Sequence, residues 1–253
     1  PLPGKVEAAL AKRAIFPAHI PSTAVPTYAT GTRLWGPVPV GGNWDIVNFA
    51  VGQVESIKEK LVALRAGNAR YAVPGSLLLP VKAPARRPRP GDAVLVSIGL
   101  TSEWGRVIRV RKGSVQVGMV WAREVVEREV PLDRVRLLPN KELVPGGPVV
   151  YRRARRWHMG QLIYQGKHQA WVIGYAGKLV TTTRGQLRAV SWKKPFRPKK
   201  RVWAPWFHHM EEAIVKKVLP HKTGYLLTFP SRPADALRNP RMVSFARITR
   251  PLE

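Results

Sequence analysis

The sequence predicts a mainly β protein of three tandem small barrels, which follow an extended N-terminal arm and one amphipathic helix. Three observations support this fold class. The 24 Pro and 21 Gly residues break the chain into short pieces. The 45% hydrophobic content, with 9 Trp, provides enough apolar material to bury in cores. From residue 91 onwards, short runs of Val, Ile and Leu alternate with turn residues, and the order of these runs repeats.

The N-terminal third of the chain is expected to lack a barrel. Residues 1–42 are rich in Pro, Ala and Gly without sustained periodicity, and we expect an extended arm. Residues 43–82 are interpreted as a helix and its connector, because apolar residues recur there at spacings of three and four. Gly67 can end the helix, so we predict a span of about 44–66. The apolar face consists of Val47, Ala50, Val54, Ile57, Leu61 and Leu64.

Three barrel units are expected at residues 83–140, 141–192 and 193–253, and the first and third begin with a basic linker. The order of short strands recurs between them, so that residues 160–163 correspond to residues 105–108. Five short, bent strands usually close into an SH3-like barrel, because closure removes the edges that so small a sheet cannot protect.

The stretch GDAVLVSIGLTSEWGRVIRVRKGSVQV, residues 91–117, resembles a KOW motif of ribosomal proteins and transcription elongation factors. Glu103 and Trp104 stand where that motif usually has a Lys-Gly pair. The resemblance implies SH3-like barrels of the KOW or Tudor type that bind structured RNA through their loops and flanking arms. The residues that carry it are Gly91, Asp92, Gly99, Gly105, Val107, Val110, Val115 and Val117.

The charge points to the same partner. Lys and Arg number 43 against 15 Asp and Glu, which gives a formal net charge of +28. Such an excess repels itself unless a polyanion is present, and the phosphate backbone of nucleic acid is the abundant cellular polyanion. Anionic membrane surface is the competing partner, but no stretch approaches the roughly 18 apolar residues of a membrane-spanning helix. We expect RNA, in particular rRNA, and neighbouring ribonucleoprotein subunits as partners, with no membrane or small-molecule partner.

The candidate nucleic-acid contacts form four basic groups. They lie in the linker before the first barrel, on the second strand of that barrel, in a hairpin of the second barrel and in the linker before the third. Trp192 precedes the last group and Phe196 lies within it, and either could stack on an exposed base. A solvated charged face is the plain alternative for each group. The candidates are Arg86, Arg87, Arg89, Arg106, Arg109, Arg111, Lys112, Arg152, Arg153, Arg155, Arg156, Lys193, Lys194, Arg197, Lys199, Lys200 and Arg201.

Catalysis has little support in the sequence. The chain has no Cys, no phosphate-binding loop and no nucleophile signature, and the adjacent His208 and His209 lack the spacing of a helical metal pair. We therefore predict neither catalytic residues, nor a metal site, nor a cofactor.

Two other functions stay open. A Tudor-type methyl-lysine reader would need three or four converging aromatic side chains, and only the second barrel offers enough of them: Tyr151, Trp157, Tyr164, Trp171 and Tyr175. A bacterial nucleoid-associated or transcription-associated protein would have a similar composition.

The setting that we predict is a mitochondrial ribosome. The chain begins at Pro1, which agrees with removal of an organelle presequence and equally with proteolytic trimming. Together with the KOW resemblance and the Ala-, Arg-, Val- and Pro-rich composition, this favours a mitochondrial ribosomal protein of the matrix. The bacterial cytoplasm or nucleoid is the alternative location.

Overall fold

The computed structural model describes residues 27–41, 43–81, 86–192, 194–233 and 240–250. The protein is mainly β, and its strands form four small antiparallel sheets in a propeller-like ring. The helical turns in these ranges are short 3-10 turns. Within them, no helix is long and apolar enough to cross a membrane.

The first two sheets contain five strands each. Sheet 1 consists of β1 (Arg33–Val40), β2 (Asn43–Lys58), β3 (Leu61–Ala66), β4 (Ala69–Pro74) and β5 (Leu79–Pro80). Sheet 2 consists of β6 (Ala93–Ile98), β7 (Thr101–Val110), β8 (Ser114–Trp121), β9 (Glu124–Pro131) and β10 (Val135–Leu137).

The last two sheets have the same plan. Sheet 3 consists of β11 (Pro148–Arg153), β12 (Arg156–Gln165), β13 (Gln169–Ile173), β14 (Leu179–Thr183) and β15 (Leu187–Ala189). Sheet 4 consists of β16 (Arg201–Trp206), β17 (His209–Val218), β18 (Gly224–Thr228) and β19 (Arg241–Ser244).

One topology is repeated in all four sheets. The first four strands pair in chain order, a 3-10 turn follows the fourth strand, and the chain then returns to pair with the first strand. In sheet 4 this return is a single bridge between Trp203 and Thr249, with both N–H···O distances at 2.9 Å.

A left-handed residue precedes the first strand of each sheet. Its N–H donates to a carbonyl of the second strand, which fixes the entry into every sheet in the same way. Glycine tolerates this backbone conformation without strain, and three of the four positions have it. The bonds are Gly31 to Val54 at 2.8 Å, and Gly91 to Val107, Gly146 to Leu162 and Lys199 to Val215 at 2.7 Å each.

The second strand of each sheet carries a bulge directly after the residue that accepts this bond. A small residue lies two positions before the acceptor: Gly52, Gly105, Gly160 or Ala213. A Cβ added to Gly105 would lie 2.3 Å from Cγ1 of Val117. The close approach of neighbouring strands therefore requires glycine at position 105.

The sheets have their own cores as well as shared contacts. One apolar cluster forms the core of sheet 2, and another forms the core of sheet 3. A third, larger cluster contains the cores of sheets 1 and 4 together with residues at the junctions, where neighbouring sheets contact each other. Around the ring, sheet 1 contacts sheet 2, sheet 2 contacts sheet 4, sheet 4 contacts sheet 3, and sheet 3 contacts sheet 1. Representative contacts, in that order, are Val51 N to Ser97 Oγ at 3.1 Å, Arg106 Nε to the Lys222 carbonyl at 3.1 Å, His158 Nδ1 to the His208 carbonyl at 2.6 Å, and the Ile46–Lys178 bridge.

The predicted helix at 44–66 is wrong, because this segment forms β2 and β3. The bulge between Val54 and Ser56 shifts the side-chain alternation, and the turn at Glu59 and Lys60 shifts it again. Because of these two shifts, the inward-facing apolar residues of strands with a period of two occur at spacings of three and four in the sequence. Part of the predicted arm also differs, since residues 33–40 form β1, whereas residues 1–26 and 42 lie outside the described residues. The described residues thus form four repeated units where we predicted three.

Candidate nucleic-acid interface

The candidate interface is centred on the turn between β11 and β12, where the sequence concentrates arginine. We call Arg152, Arg153, Arg155 and Arg156 the arginine hairpin. A two-residue turn joins the strands, with φ of 46° at Ala154 and 62° at Arg155. Side chains of a two-residue hairpin turn project away from the sheet. The tip of sheet 3 is therefore an exposed cationic projection.

The arginine hairpin has no internal neutralisation. Arg153 is paired directly opposite Arg156, so two like charges face each other across the strands. Within the described ranges, no carboxylate lies within ion-pairing distance of any of the four guanidinium groups. An external anion would relieve this repulsion and gain charge-assisted hydrogen bonds.

An aromatic groove lies beside the arginine hairpin. It has a volume of about 380 Å³ and separates the hairpin from sheet 4. The guanidinium of Arg188 lies 4.9 Å from the centroid of the Trp157 ring and covers one face of it. We call this space the tryptophan groove; it is lined by Arg155, Arg156, Trp157, Trp203, His209, Met210 and Arg232.

His158 fixes the arginine hairpin against sheet 4. Its ring stacks on Tyr151 with centroids 5.2 Å apart. Its Nδ1 lies 2.6 Å from the carbonyl oxygen of His208, and its Nε2 lies 3.3 Å from that of Arg153. The base of the hairpin is therefore bonded to the turn that joins β16 and β17, which includes Phe207.

The basic groups before and along sheet 2 are partly neutralised. Arg86, Arg87 and Arg89 are exposed, but Arg86 binds both carboxylate oxygens of Asp92, at 2.7 and 2.8 Å. Burial would raise the pKa of Asp92, but hydrogen bonds from the Arg86 side chain and the Arg89 backbone hold it below its usual value. These bonds stabilise the linker conformation rather than leaving Arg86 to an external anion.

On β7 and the turn after it, exposure varies from residue to residue. Arg109 and Lys112 are exposed, and Arg111 pairs with Glu129 at 2.6 Å. The prediction that Arg106 contacts nucleic acid is wrong, because its side chain is buried. It donates from Nη1 to the Gly91 carbonyl at 2.9 Å, from Nε to Lys222 at 3.1 Å and from Nη2 to Trp192 at 3.4 Å.

The last predicted group surrounds the entry to sheet 4. Lys194, Arg197, Lys199 and Lys200 are exposed, and Arg201 pairs with Glu212 at 3.4 Å. Lys193 lies outside the described residues.

The aromatic residues beside and within that last group lie mostly inside the fold. Trp192 is buried and packs edge-on against Phe245. The backbone N–H of Phe196 donates to the Tyr225 hydroxyl at 3.1 Å, and the Phe196 ring packs on Tyr225. Both aromatic residues therefore have structural partners here.

The proposed methyl-lysine cage does not form from the aromatic residues of sheet 3. Tyr151, Trp157 and Trp171 are buried in cores, and Tyr164 packs on Trp171. Tyr175 is 48% exposed and instead packs against His208 of sheet 4.

Glu103 is a candidate binding residue that the sequence pattern did not indicate. Glu103 lines a cavity between the sheets, and burial raises the pKa of its carboxyl although the charge of Arg247 lowers it. The available signal was the departure at 103–104 from the Lys-Gly pair of the KOW pattern. That departure places an acidic side chain beside Trp104 in a strongly basic protein.

Comparison with known proteins does not assign a family to the chain. No protein family model matches it, and no curated protein is significantly similar to it.

Proposed function

We propose that the protein is a non-catalytic RNA-binding protein in which four SH3-like units, of the KOW or Tudor type, position basic and aromatic side chains for RNA. The repeated strand order, with the chain returning to the first strand, supports barrel units. The separate cores of sheets 2 and 3 also support them, because a barrel encloses its own core.

The observation that carries the RNA-binding proposal is the unneutralised arginine hairpin beside the tryptophan groove. Exposed guanidinium groups bind phosphates, and the partly exposed ring of Trp203 in the groove offers a face for an unpaired base, whereas Trp157 is buried. Double-stranded DNA offers phosphates but keeps its bases stacked in pairs. Single-stranded segments of structured RNA present both groups together.

The setting that we propose is a large ribonucleoprotein, where rRNA and neighbouring subunits neutralise the remaining charge of +28. We propose a mitochondrial ribosome as this assembly, on the basis of the composition and the KOW resemblance.

Charge reversal tests the interface. We expect simultaneous Arg→Glu substitution at Arg152, Arg153, Arg155 and Arg156 to weaken binding to structured single-stranded RNA at least tenfold, because four phosphate contacts are lost. The matched control reverses four exposed cations that lie outside the hairpin and have no ion pair among the described residues, and it changes net charge equally: Lys58, Lys141, Lys216 and Lys217. Equal weakening by both variants would show nonspecific attraction by net charge and contradict the proposed interface.

A further inference from the structure

A central cavity lies where the four sheets meet. It has a volume of about 350 Å³, and all four sheets contribute to its wall. Phe49 comes from sheet 1, Trp104 from sheet 2, Tyr175 from sheet 3 and Phe207 from sheet 4. Tyr175 and Phe207 are exposed, whereas Phe49 and Trp104 are buried, so the first two rings offer the faces that suit a flat, unsaturated ligand.

Two groups of opposite charge also line the central cavity. Glu103 lies on β7, and Arg247 lies in the 3-10 turn that follows β19. Among the described residues, neither side chain makes an ion pair within 4.0 Å or a side-chain hydrogen bond. A half-buried carboxylate without a partner is costly, so the pair is suited to a ligand that supplies both donors and acceptors.

The aromatic wall around this pair is held in place. The indole N–H of Trp104 donates to the Gly146 carbonyl at 3.0 Å, which fixes the ring against sheet 3. The guanidinium of Arg247 lies 5.4 Å from the centroid of the same ring. Glu103 precedes Trp104 on β7, and its carboxylate and the Arg247 guanidinium line the same cavity as this fixed ring.

We propose that the central cavity binds a single unpaired guanine base of RNA, with Glu103 accepting hydrogen bonds from the base and Arg247 donating to it. The inference rests on the proposed RNA-binding function and deepens it by naming the base that is recognised.

Guanine is the base whose groups match this pair most fully. Its N1–H and exocyclic amine are adjacent donors that a carboxylate can accept together. Its O6 and N7 are adjacent acceptors that a guanidinium can bind together. Uracil offers one ring N–H between two carbonyl groups, and the carbonyl groups would repel the carboxylate. Adenine and cytosine each offer one amine to Glu103, so they provide fewer hydrogen bonds.

The central cavity adjoins the proposed phosphate-binding surface. Phe207 forms part of the cavity wall, and the carbonyl of the next residue, His208, contacts His158 at the base of the arginine hairpin. An RNA strand bound at the hairpin can therefore place a base in the cavity. This arrangement couples sequence-independent phosphate contacts to one base-specific contact.

The test compares short oligouridines that differ in one central base. The full protein is titrated with oligouridine and with the same strand carrying a central guanine, adenine or cytosine. We expect guanine to increase affinity about tenfold over uracil, because two base edges are read by charged groups. Glu103→Gln and Arg247→Gln should each reduce this preference to about twofold or less, because one set of hydrogen bonds is lost. Thermal unfolding of both variants checks that they fold.

The matched control is Glu124→Gln, which removes an exposed carboxylate of β9 and leaves the cavity wall unchanged. It should keep the guanine preference. Equal affinity for all four oligonucleotides, with strong salt dependence, would overturn the guanine site and leave RNA binding intact. Absence of binding to every oligonucleotide would overturn both proposals. Binding of a trimethyl-lysine peptide that Glu103→Gln abolishes, in place of a guanine preference, would assign the cavity to a cationic ligand.

Discussion

The guanidinium of Arg106 lies 4.2 Å from the centroid of the Phe245 ring, across the junction between sheets 2 and 4. The same group donates to the backbone carbonyls of Gly91 before sheet 2, Trp192 after sheet 3 and Lys222 in sheet 4. Burial lowers the pKa of Arg106, and nearby polar groups partly offset this effect. An arginine that the charge pattern assigned to RNA is therefore a structural crosslink of the ring.

We expect Arg106→Met to destabilise the protein by about 2–4 kcal/mol, because three carbonyl acceptors and a cation–π contact lose their partner. Arg106→Lys should also destabilise it, since an ammonium cannot reproduce the planar fork. Urea unfolding measures both effects. Arg109→Met, at an exposed position of the same strand, is the control and should change stability by less than about 0.5 kcal/mol. Unaltered stability of Arg106→Met would refute the structural role.

At the turn formed by Ala154 and Arg155, a substitution that raises stability should also weaken RNA binding. Both residues have positive φ, which Asn and Gly tolerate better in a two-residue hairpin. Replacing the pair with Asn-Gly should stabilise the protein by about 1 kcal/mol. It should also weaken RNA binding severalfold, since one guanidinium is removed from the arginine hairpin. Parallel unfolding and RNA titrations measure the two effects.

The same replacement at Ala122 and Arg123, where φ is 47° and 71°, controls for the gain in stability. A variant of the arginine hairpin that bound RNA as tightly as the unchanged protein would show that Arg155 makes no contact.

The carboxyl of Glu103 should make the protein less stable as pH rises, whereas an ion-paired carboxyl makes a protein more stable. Burial raises the pKa of this carboxyl above its ordinary value of 4.5, so the folded state holds the proton to higher pH than the unfolded state does. Stability from this group is therefore greatest below the ordinary pKa and falls as pH rises through the raised one.

Glu103→Gln removes this dependence. We expect the variant to be more stable than the unchanged protein at neutral pH, and the difference to shrink as the solution is acidified. Urea unfolding of both proteins across that pH interval gives the comparison. If the substitution lowered stability at neutral pH, the carboxylate would have a favourable partner in the fold and would not be poised for a ligand.

The glycines in the second strands of sheets 2 and 3, Gly105 and Gly160, should not tolerate a larger side chain. We expect Gly160→Ala to destabilise the protein by about 1–3 kcal/mol, because the added Cβ would lie 2.2 Å from Cγ1 of Val172. Gly185→Ala should have little effect, since no atom lies within 4 Å of the Cβ there and its φ is not positive. Thermal unfolding separates the two. A tolerated alanine at Gly160 would mean that the strands can move apart at this point.

The sequence pattern predicts sheets 2, 3 and 4 because their strands are short and separated by turn residues such as Gly113. It fails for sheet 1 because β2 is long, and its bulge after Val54 disguises the strand period. Local charge density likewise predicts the exposed arginine hairpin. It cannot separate Arg106 from Arg109, since burial at the junction depends on contacts with residues distant in sequence.

The central claim is that RNA phosphates bind to the arginine hairpin, and the salt dependence of binding tests it most directly. Affinity of the unchanged protein for single-stranded RNA should fall steeply with salt, because bound phosphates release counterions. Charge reversal of the arginine hairpin should reduce the slope of log affinity against log salt by about three, at about 0.7 for each of its phosphate contacts. A nearly flat salt dependence of the unchanged protein, or a slope that the substitutions leave unaltered, would contradict the account.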